Sequence, residues 1–189
     1  MLTKFTALAM GVLLSVSALA ADMATLTRQA QSGDAAAQLD LANEYYSQGN
    51  HAKAFEWYTK AAGQGDADAQ AILGAMYAKG QGVHQDYHKA VEWTTKAAHQ
   101  GHADAQTILG LMYYNGEGVR QDYRKAVEWT AKAAGQGFAA AQNNLGVMYE
   151  NGEGVRQNKS TAKRYYGQAC DNGEQLGCDD YRRLNQQGY

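Results

Sequence analysis

Ala71-Ile72-Leu73-Gly74-Ala75-Met76-Tyr77, followed shortly by Gly80-Gln81-Gly82-Val83, is the stretch on which the fold turns. Leu73, Met76 and Tyr77 fall at helical spacing. Gly80 stands where a helix can close in the left-handed conformation. The stretch also recurs. Just upstream, Gly65-Asp66-Ala67-Asp68-Ala69-Gln70 returns as Gly101-His102-Ala103-Asp104-Ala105-Gln106 and again as Gly137-Phe138-Ala139-Ala140-Ala141-Gln142, a step of 36 residues each time. A further step lands on Gly173, and a unit four residues shorter begins at Gly33. Self-similarity at a fixed period of this size is the signature of stacked repeats.

Each unit reads as two helices. Helix A spans Ala67 to Lys79 in the second unit, and helix B spans Asp86 to His99, with Ala90, Val91, Trp93, Ala97 and Ala98 at helical spacing. The expected fold class is therefore all-α, an array of antiparallel helix pairs. Its expected divisions are 1–20 a leader, 21–32 an N-terminal capping segment, 33–64 a short first repeat, then 65–100, 101–136 and 137–172 as full repeats, with 173–189 a capping helix. Recurrence between units separates framework from variation. Ala69, Gln70, Leu73, Gly74, Met76 and Tyr77 return unchanged one and two steps later, which marks a packing face. Gly74, Gly110 and Gly146 are informative because a mid-helix glycine costs about 1 kcal/mol relative to alanine. Their return predicts close approach of a neighbouring backbone. Trp57, Trp93, Trp129 and Tyr165 share one helix B position and are assigned to packing in preference to a ligand platform.

Composition narrows the function classes. Lys and Arg number 17 against 19 Asp and Glu, proline is absent, and mean hydropathy is -0.55. No basic excess points to nucleic acid. Lys4, the apolar run Phe5 to Val16 and the small-residue site Ala18-Leu19-Ala20 read as an export signal cleaved before Ala21. The apolar run is short for a membrane span, so no membrane anchor is expected after cleavage, and the expected location is periplasmic or secreted.

The quoted stretch, the Gly80–Val83 turn, the run from Asp86 to Ala90 and that from Trp93 to Ala98 resemble the Sel-one-like repeat (SLR) branch of tetratricopeptide-like solenoids. The resemblance covers about residues 33 to 178, strongest in repeats two to four. It implies a right-handed superhelix of helix pairs whose concave groove serves as an adaptor surface; a protein or peptide partner, no cofactor and a monomer are the accompanying expectations. Cys170 and Cys178 replace Ala98/Ala134 and Gln106/Gln142 of earlier units. In the oxidising compartment that the leader implies they are expected to pair. The segment around them is similar to that of cysteine-rich bacterial SLR proteins, which are stapled in every repeat rather than only the last. A metal site is the rival reading, but two thiolates without nearby His ligands do not complete a tetrahedral shell. Arg182, where earlier units carry Gly110 and Gly146, reads as part of a polar cap that ends the array.

Little in the chain suggests catalysis. Ser160-Thr161-Ala162-Lys163 matches the Ser-x-x-Lys motif of penicillin-recognising enzymes, but their Ser-Asp-Asn and Lys-Thr-Gly partners do not occur. His51, His84, His88, His99 and His102 read as surface variation, since four of them align with Arg or other non-ligating residues one repeat on. The variable positions of helix A form the candidate groove: Ala71, Ala75, Ala78 and Lys79, then Thr107, Leu111, Tyr114 and Asn115, then Asn143, Val147, Glu150 and Asn151. Their spacing places them on one helix face, which the resemblance turns toward a partner, with Tyr114 as the expected anchor. The expected function is an exported partner-binding module. A weak β-lactam-binding or hydrolysing protein, like some cysteine-rich SLR relatives, and a secreted host-facing effector are the alternatives.

Overall fold

A computed structural model describes residues 23–189; the leader and its cleavage site lie outside them. Ten helices and no strand occur among the described residues. Helix α1 covers 23–31. The A helices are α2 (Ala35–Ser47), α4 (Ala67–Lys79), α6 (Ala103–Asn115), α8 (Ala139–Asn151) and α10 (Gln175–Gln186). The B helices are α3 (His51–Gly63), α5 (Tyr87–His99), α7 (Tyr123–Gly135) and α9 (Lys159–Asp171). Each helix packs chiefly on its chain neighbours, as a solenoid requires.

Local chemistry sets these lengths. Asp66 caps α4 by accepting from Ala69 N at 2.8 Å, and Asp86 caps α5 by accepting from His88 N and Lys89 N. Asp86 therefore stands just outside helix B instead of opening it. Those two backbone bonds hold its carboxyl below the usual Asp range. The A helices of repeats two to four end on Gly80, Gly116 and Gly152, all left-handed at φ 68° to 78°. Gln85, Gln121 and Gln157 then reach back to donate to the carbonyls of Ala78, Tyr114 and Glu150, satisfying acceptors left free by the helix end.

Two devices hold consecutive layers together. The first is a ladder of glutamines, each about 5% exposed. Gln38, Gln70, Gln106 and Gln142 donate from Nε2 to the carbonyls of Ala30, Ala62, Ala98 and Ala134, in the last turn of the preceding helix, at 3.0 to 3.3 Å. Their Oε1 atoms accept from Gln64, Gln100, Gln136 and Asn172, which follow the partner B helices, each at 2.8 Å. Helix α1 supplies the first carbonyl, so it plays the part of a B helix before the first repeat.

The second device is close contact at glycine. A Cβ on Gly110 would lie 2.4 Å from Thr130 Oγ1 and 3.2 Å from the Ala126 carbonyl, and Gly74 meets Thr94 and Ala90 in the same way. Gly146 meets the Tyr166 ring instead, at 2.6 Å. The expected backbone approach is thus present at Gly74 and Gly110 but not at Gly146, with helix B of the same repeat as the neighbour in all three. Gly82, Gly118 and Gly154 press each inserted turn onto the start of the previous B helix, where a Cβ would fall 2.1 to 2.2 Å from the carbonyls of His51, Tyr87 and Tyr123. The aromatic helix B position is shared between packing and surface. Trp129 is buried and Trp57 and Trp93 half-buried, with Lys132, Lys60 and Lys96 ammonium groups 3.6 to 4.0 Å from their ring centroids.

Two glycine substitutions separate packing from propensity. Gly110→Ala should destabilise the protein by about 1–3 kcal/mol despite its better helix propensity, because the methyl meets backbone and a rigid threonine. Gly63→Ala, where nothing lies within 4 Å, should stabilise by up to about 0.5–1 kcal/mol. Denaturant unfolding of the two variants checks both signs.

Candidate functional site

The variable A-helix positions divide along the helix. Leu111, 38% exposed, joins Tyr114 on α6 and Asn144, Val147 and Met148 on α8 around an apolar depression of about 130 Å³. Lys79, Asn115 and Asn151 stand exposed at the C-terminal ends of the three helices, with Ala75 and Ala78 half-buried before Lys79.

Other expected groove residues are placed differently. Ala71 and Thr107 are buried, 8% and 5% exposed, so they are not surface positions. Ala71 packs in a cluster with Ala97, Ala98, Ala105 and Leu109, because the N-terminal half of helix A is covered by the following unit. The Thr107 hydroxyl donates to the Ala103 carbonyl within its own helix. Asn143, at the same repeat position, is half-buried, with its Oδ1 enclosed and unpartnered.

Tyr114 is half-buried rather than free-standing. Its hydroxyl donates to Glu153 in the next repeat at 2.9 Å, and its ring meets Tyr123 edge-on at 5.1 Å. Burial, reinforced by Glu153, holds that hydroxyl above its usual pKa. Tyr46 donates in the same way to Gln81, in the turn of the repeat after its own. Tyr114 therefore contributes one wall of the depression and also joins repeats three and four.

Glu150 is committed to α10. Arg183 grips it with two parallel bonds of 2.7 Å and also donates to Asp180, while Tyr166 donates to Glu150 at 2.9 Å. The Arg183 bonds hold the Glu150 carboxyl below its usual range. Beside this network Cys170 and Cys178 are joined as a disulfide, with Cα atoms 4.5 Å apart, linking α9 to α10. Asn144 and Met148 were not singled out as groove residues. Met148 is part of the unchanging framework, and only the departure of Asn144 from Ile72 and Ile108 marked the site.

The Ser-x-x-Lys match falls on the first turns of α9. Ser160 is exposed, and Lys163 donates to Asn185 Oδ1 at 2.7 Å and to the Tyr189 carbonyl, so the lysine serves the C-terminus. His102 caps α6 through Nδ1, which accepts from Ala105 N at 3.2 Å, with Nε2 3.2 Å from Asp68.

Successive matches to the Sel1 repeat cover residues 35–66, 67–102, 103–138 and 139–174. The chain belongs to the Sel1 repeat family. Solenoids of this family are generally protein-interaction modules and typically non-enzymatic. The chain is similar to a protective antigen present in uropathogenic Escherichia coli strains that displays an SLR fold, at 37% identity and TM-score 0.84 over 88% of this chain and 36% of that one. It is similar also to a Sel1 repeat protein from Oxalobacter formigenes, at 35% identity and TM-score 0.71 over 75% of this chain and 58% of that one. The cysteine rich protein B of Helicobacter pylori matches at 26% identity and TM-score 0.54, over 67% and 91% of the two chains. An uncharacterized protein of Haemophilus influenzae (strain Rd) is 64% identical over 25 residues, 13% of this chain and 48% of that protein. The chain thus covers 36% of the E. coli relative, and through a 25-residue match 48% of the H. influenzae one.

The cap should respond to two conditions. Reducing Cys170–Cys178 removes a short covalent loop worth roughly 2–3 kcal/mol; unfolding with and without reductant should show that loss, with amide exchange rising first in α10. For Glu150 the folded pKa lies below the unfolded one. Its contribution is therefore complete above the usual Glu value of about 4.3 and is lost as pH falls below it. Acid titration of stability should show this loss, and Glu150→Gln should flatten that limb of the curve.

Proposed function

We propose that this chain is an exported adaptor that captures a segment of a protein partner on the concave face lined by α4, α6 and α8. The observation that carries the reading is the apolar depression bounded by Leu111, Tyr114 and Val147. It is open, about 130 Å³ in volume and thus sized for one side chain, with Asn144 as the polar residue at its edge. An apolar socket within a polar rim is the usual anatomy of a binding hot spot. The framework around it is fixed by ladder and glycine contacts, so a partner would meet a preorganised surface at little ordering cost. Export is supported by the leader-like residues 1–20 and by the disulfide, which persists in oxidising compartments. No helix among the described residues is long and apolar enough to cross a membrane.

Leu111 replaces Tyr114 as the residue to test, because it is the more exposed and has no hydrogen-bonding duty. Changing Leu111→Ala should weaken partner capture from the native envelope by roughly 1–2 kcal/mol, with thermal stability little changed. Undiminished capture by both Leu111→Ala and Val147→Asp would place the partner elsewhere. N-terminal sequencing of the exported protein should begin at Ala21, and a retained Met1 in the envelope fraction would remove the export half of the reading.

A further inference from the structure

The edge of the solenoid where A helices turn into B helices carries a second surface. Each inserted turn lies on the start of the previous B helix, through the glycine contacts at Gly118 and Gly154. The turns and helix starts consequently border a trough whose first two stretches share Val119 and Arg120. One stretch of it, about 710 Å³, is lined by Tyr87 and His88 on one side and by Val119 and Arg120 on the other. Val119 and Arg120 also line the next stretch, about 650 Å³, together with Tyr113, Tyr123, Arg124 and Lys125. A third stretch of about 520 Å³, at Tyr149, Val155 and Arg156, shares no lining residue with these but begins next to Gly154 of the second.

Cations outnumber carboxylates along this trough, with Arg120, Arg124, Lys125 and Arg156 facing Asp86 and Asp122. Arg120, Arg124 and Arg156 are exposed and take part in no ion pair among the described residues. The carboxylates lining these stretches, Asp86 and Asp122, keep their charge but are turned to the helix starts: Asp122 accepts from Arg124 N and Lys125 N at 3.0 and 3.1 Å, and Asp86 accepts in the same way in α5. The whole chain carries a formal charge of -2, so this cationic strip is a local concentration and not a consequence of overall composition. Apolar surface runs through it as well. Tyr87 and Tyr123 are 39% and 36% exposed, and Val119 and Val155 line the floor.

We propose that this trough binds an acidic peptide segment in which carboxylates are interspersed with apolar side chains. Guanidinium groups match carboxylates with two parallel bonds. Tyrosine and arginine together are the residue types enriched where protein segments are recognised. The valine and tyrosine surface between the cations favours a peptide over a bare polyanion, which would leave it uncovered. The trough adjoins the depression where Tyr114 meets Tyr123, but the two share no lining residue, so the arginine variants below test it separately from the adaptor reading.

The test uses a fluorescein-labelled peptide of four Glu-Glu-Leu units, titrated by anisotropy with the full chain at low ionic strength. The Arg120→Gln, Arg124→Gln, Arg156→Gln variant should bind it at least about tenfold more weakly, with an unchanged circular dichroism spectrum. A control variant, Lys60→Gln, Lys96→Gln, Lys132→Gln, removes the same charge from ammonium groups seated on tryptophan rings, and should bind as the parent does. Replacing the leucines of the peptide by serine should weaken binding to the parent chain. Equal losses in the two variants, or no binding at all, would overturn the proposal. So would tighter binding of heparin or single-stranded DNA through the same three arginines, which would assign the trough to a polyanion.

Discussion

Each buried glutamine of the A helices has to find partners for both ends of its amide, and the stacking of the solenoid follows from how it does so. The nitrogen reaches a carbonyl in the last turn of the helix before, and the oxygen receives a donor from the residue that follows the helix after. Three helices are thereby tied at one point in every repeat. An enclosed amide with one end unpaired costs about 1–3 kcal/mol, so sliding one helix relative to the others by a turn is penalised at every level. Alanine packing alone would not impose such a register. The surrounding core is built largely of small side chains, Ala69, Ala97, Ala98 and Ala105 among them, which tolerate sliding far better than a directional bond does.

The glycines work with this ladder rather than in parallel to it. Gly74 and Gly110 let α5 and α7 settle against the A helices closely enough for the cap residues Gln100 and Gln136 to reach their glutamine partners. That closeness has a cost: the hydroxyl oxygens of Thr94 and Thr130 are enclosed without a partner, a penalty of the same order as a lost hydrogen bond. In repeat four a tyrosine, Tyr166, takes the threonine position, and its hydroxyl finds Glu150 and through it Arg183. The last repeat thus exchanges an orphaned oxygen for a network that reaches into the capping helix. A framework this constrained leaves the exposed residues of the C-terminal half of helix A and of the A-to-B turn free to vary without endangering the fold. Those are the places where both candidate surfaces lie.

Most of the framework was legible in the sequence because a repeat protein supplies its own comparison. The return of Gly74 at a costly mid-helix position pointed to a close backbone approach, and the helix ends at Lys79, Asn115 and Asn151 follow from the glycines after them. The invariant Gln70, Gln106 and Gln142 were legible as a packing face but not as a ladder, since their partners Gln100, Gln136 and Asn172 lie some thirty residues on and only folding brings them near. The groove was read less well. Helical angle alone put Ala71 and Thr107 on the same face as Leu111, but it carries no information about the following unit, which covers the first half of each A helix. Tyr114 and Glu150 read as groove residues, Tyr114 as the anchor, until their partners Glu153 and Arg183 were seen across a repeat boundary. The cationic trough was invisible in a net charge that averages it against acidic residues elsewhere.

The Cys170–Cys178 pair is best understood as the last rung of the ladder. It occupies the same two positions, eight residues apart, that elsewhere hold the alanine whose carbonyl accepts and the glutamine that donates to it. A glutamine at 178 could have met the carbonyl of residue 170, but its own oxygen would have needed a donor from a further B helix. Among the described residues no B helix follows α10, and Arg182 stands where Gly110 and Gly146 make the glycine contact. A cysteine carries no amide oxygen and so needs no such donor. Gly177 makes room for the exchange. At the position where Ala141 stands one repeat earlier, a Cβ here would lie 2.7 Å from the Ala169 methyl and 2.9 Å from the Tyr166 carbonyl. Helix α10 therefore lies nearer to its predecessor than a glutamine rung would require, close enough for a covalent bond of fixed short reach. The covalent bond supplies from one side the constraint that elsewhere needs a neighbour on both.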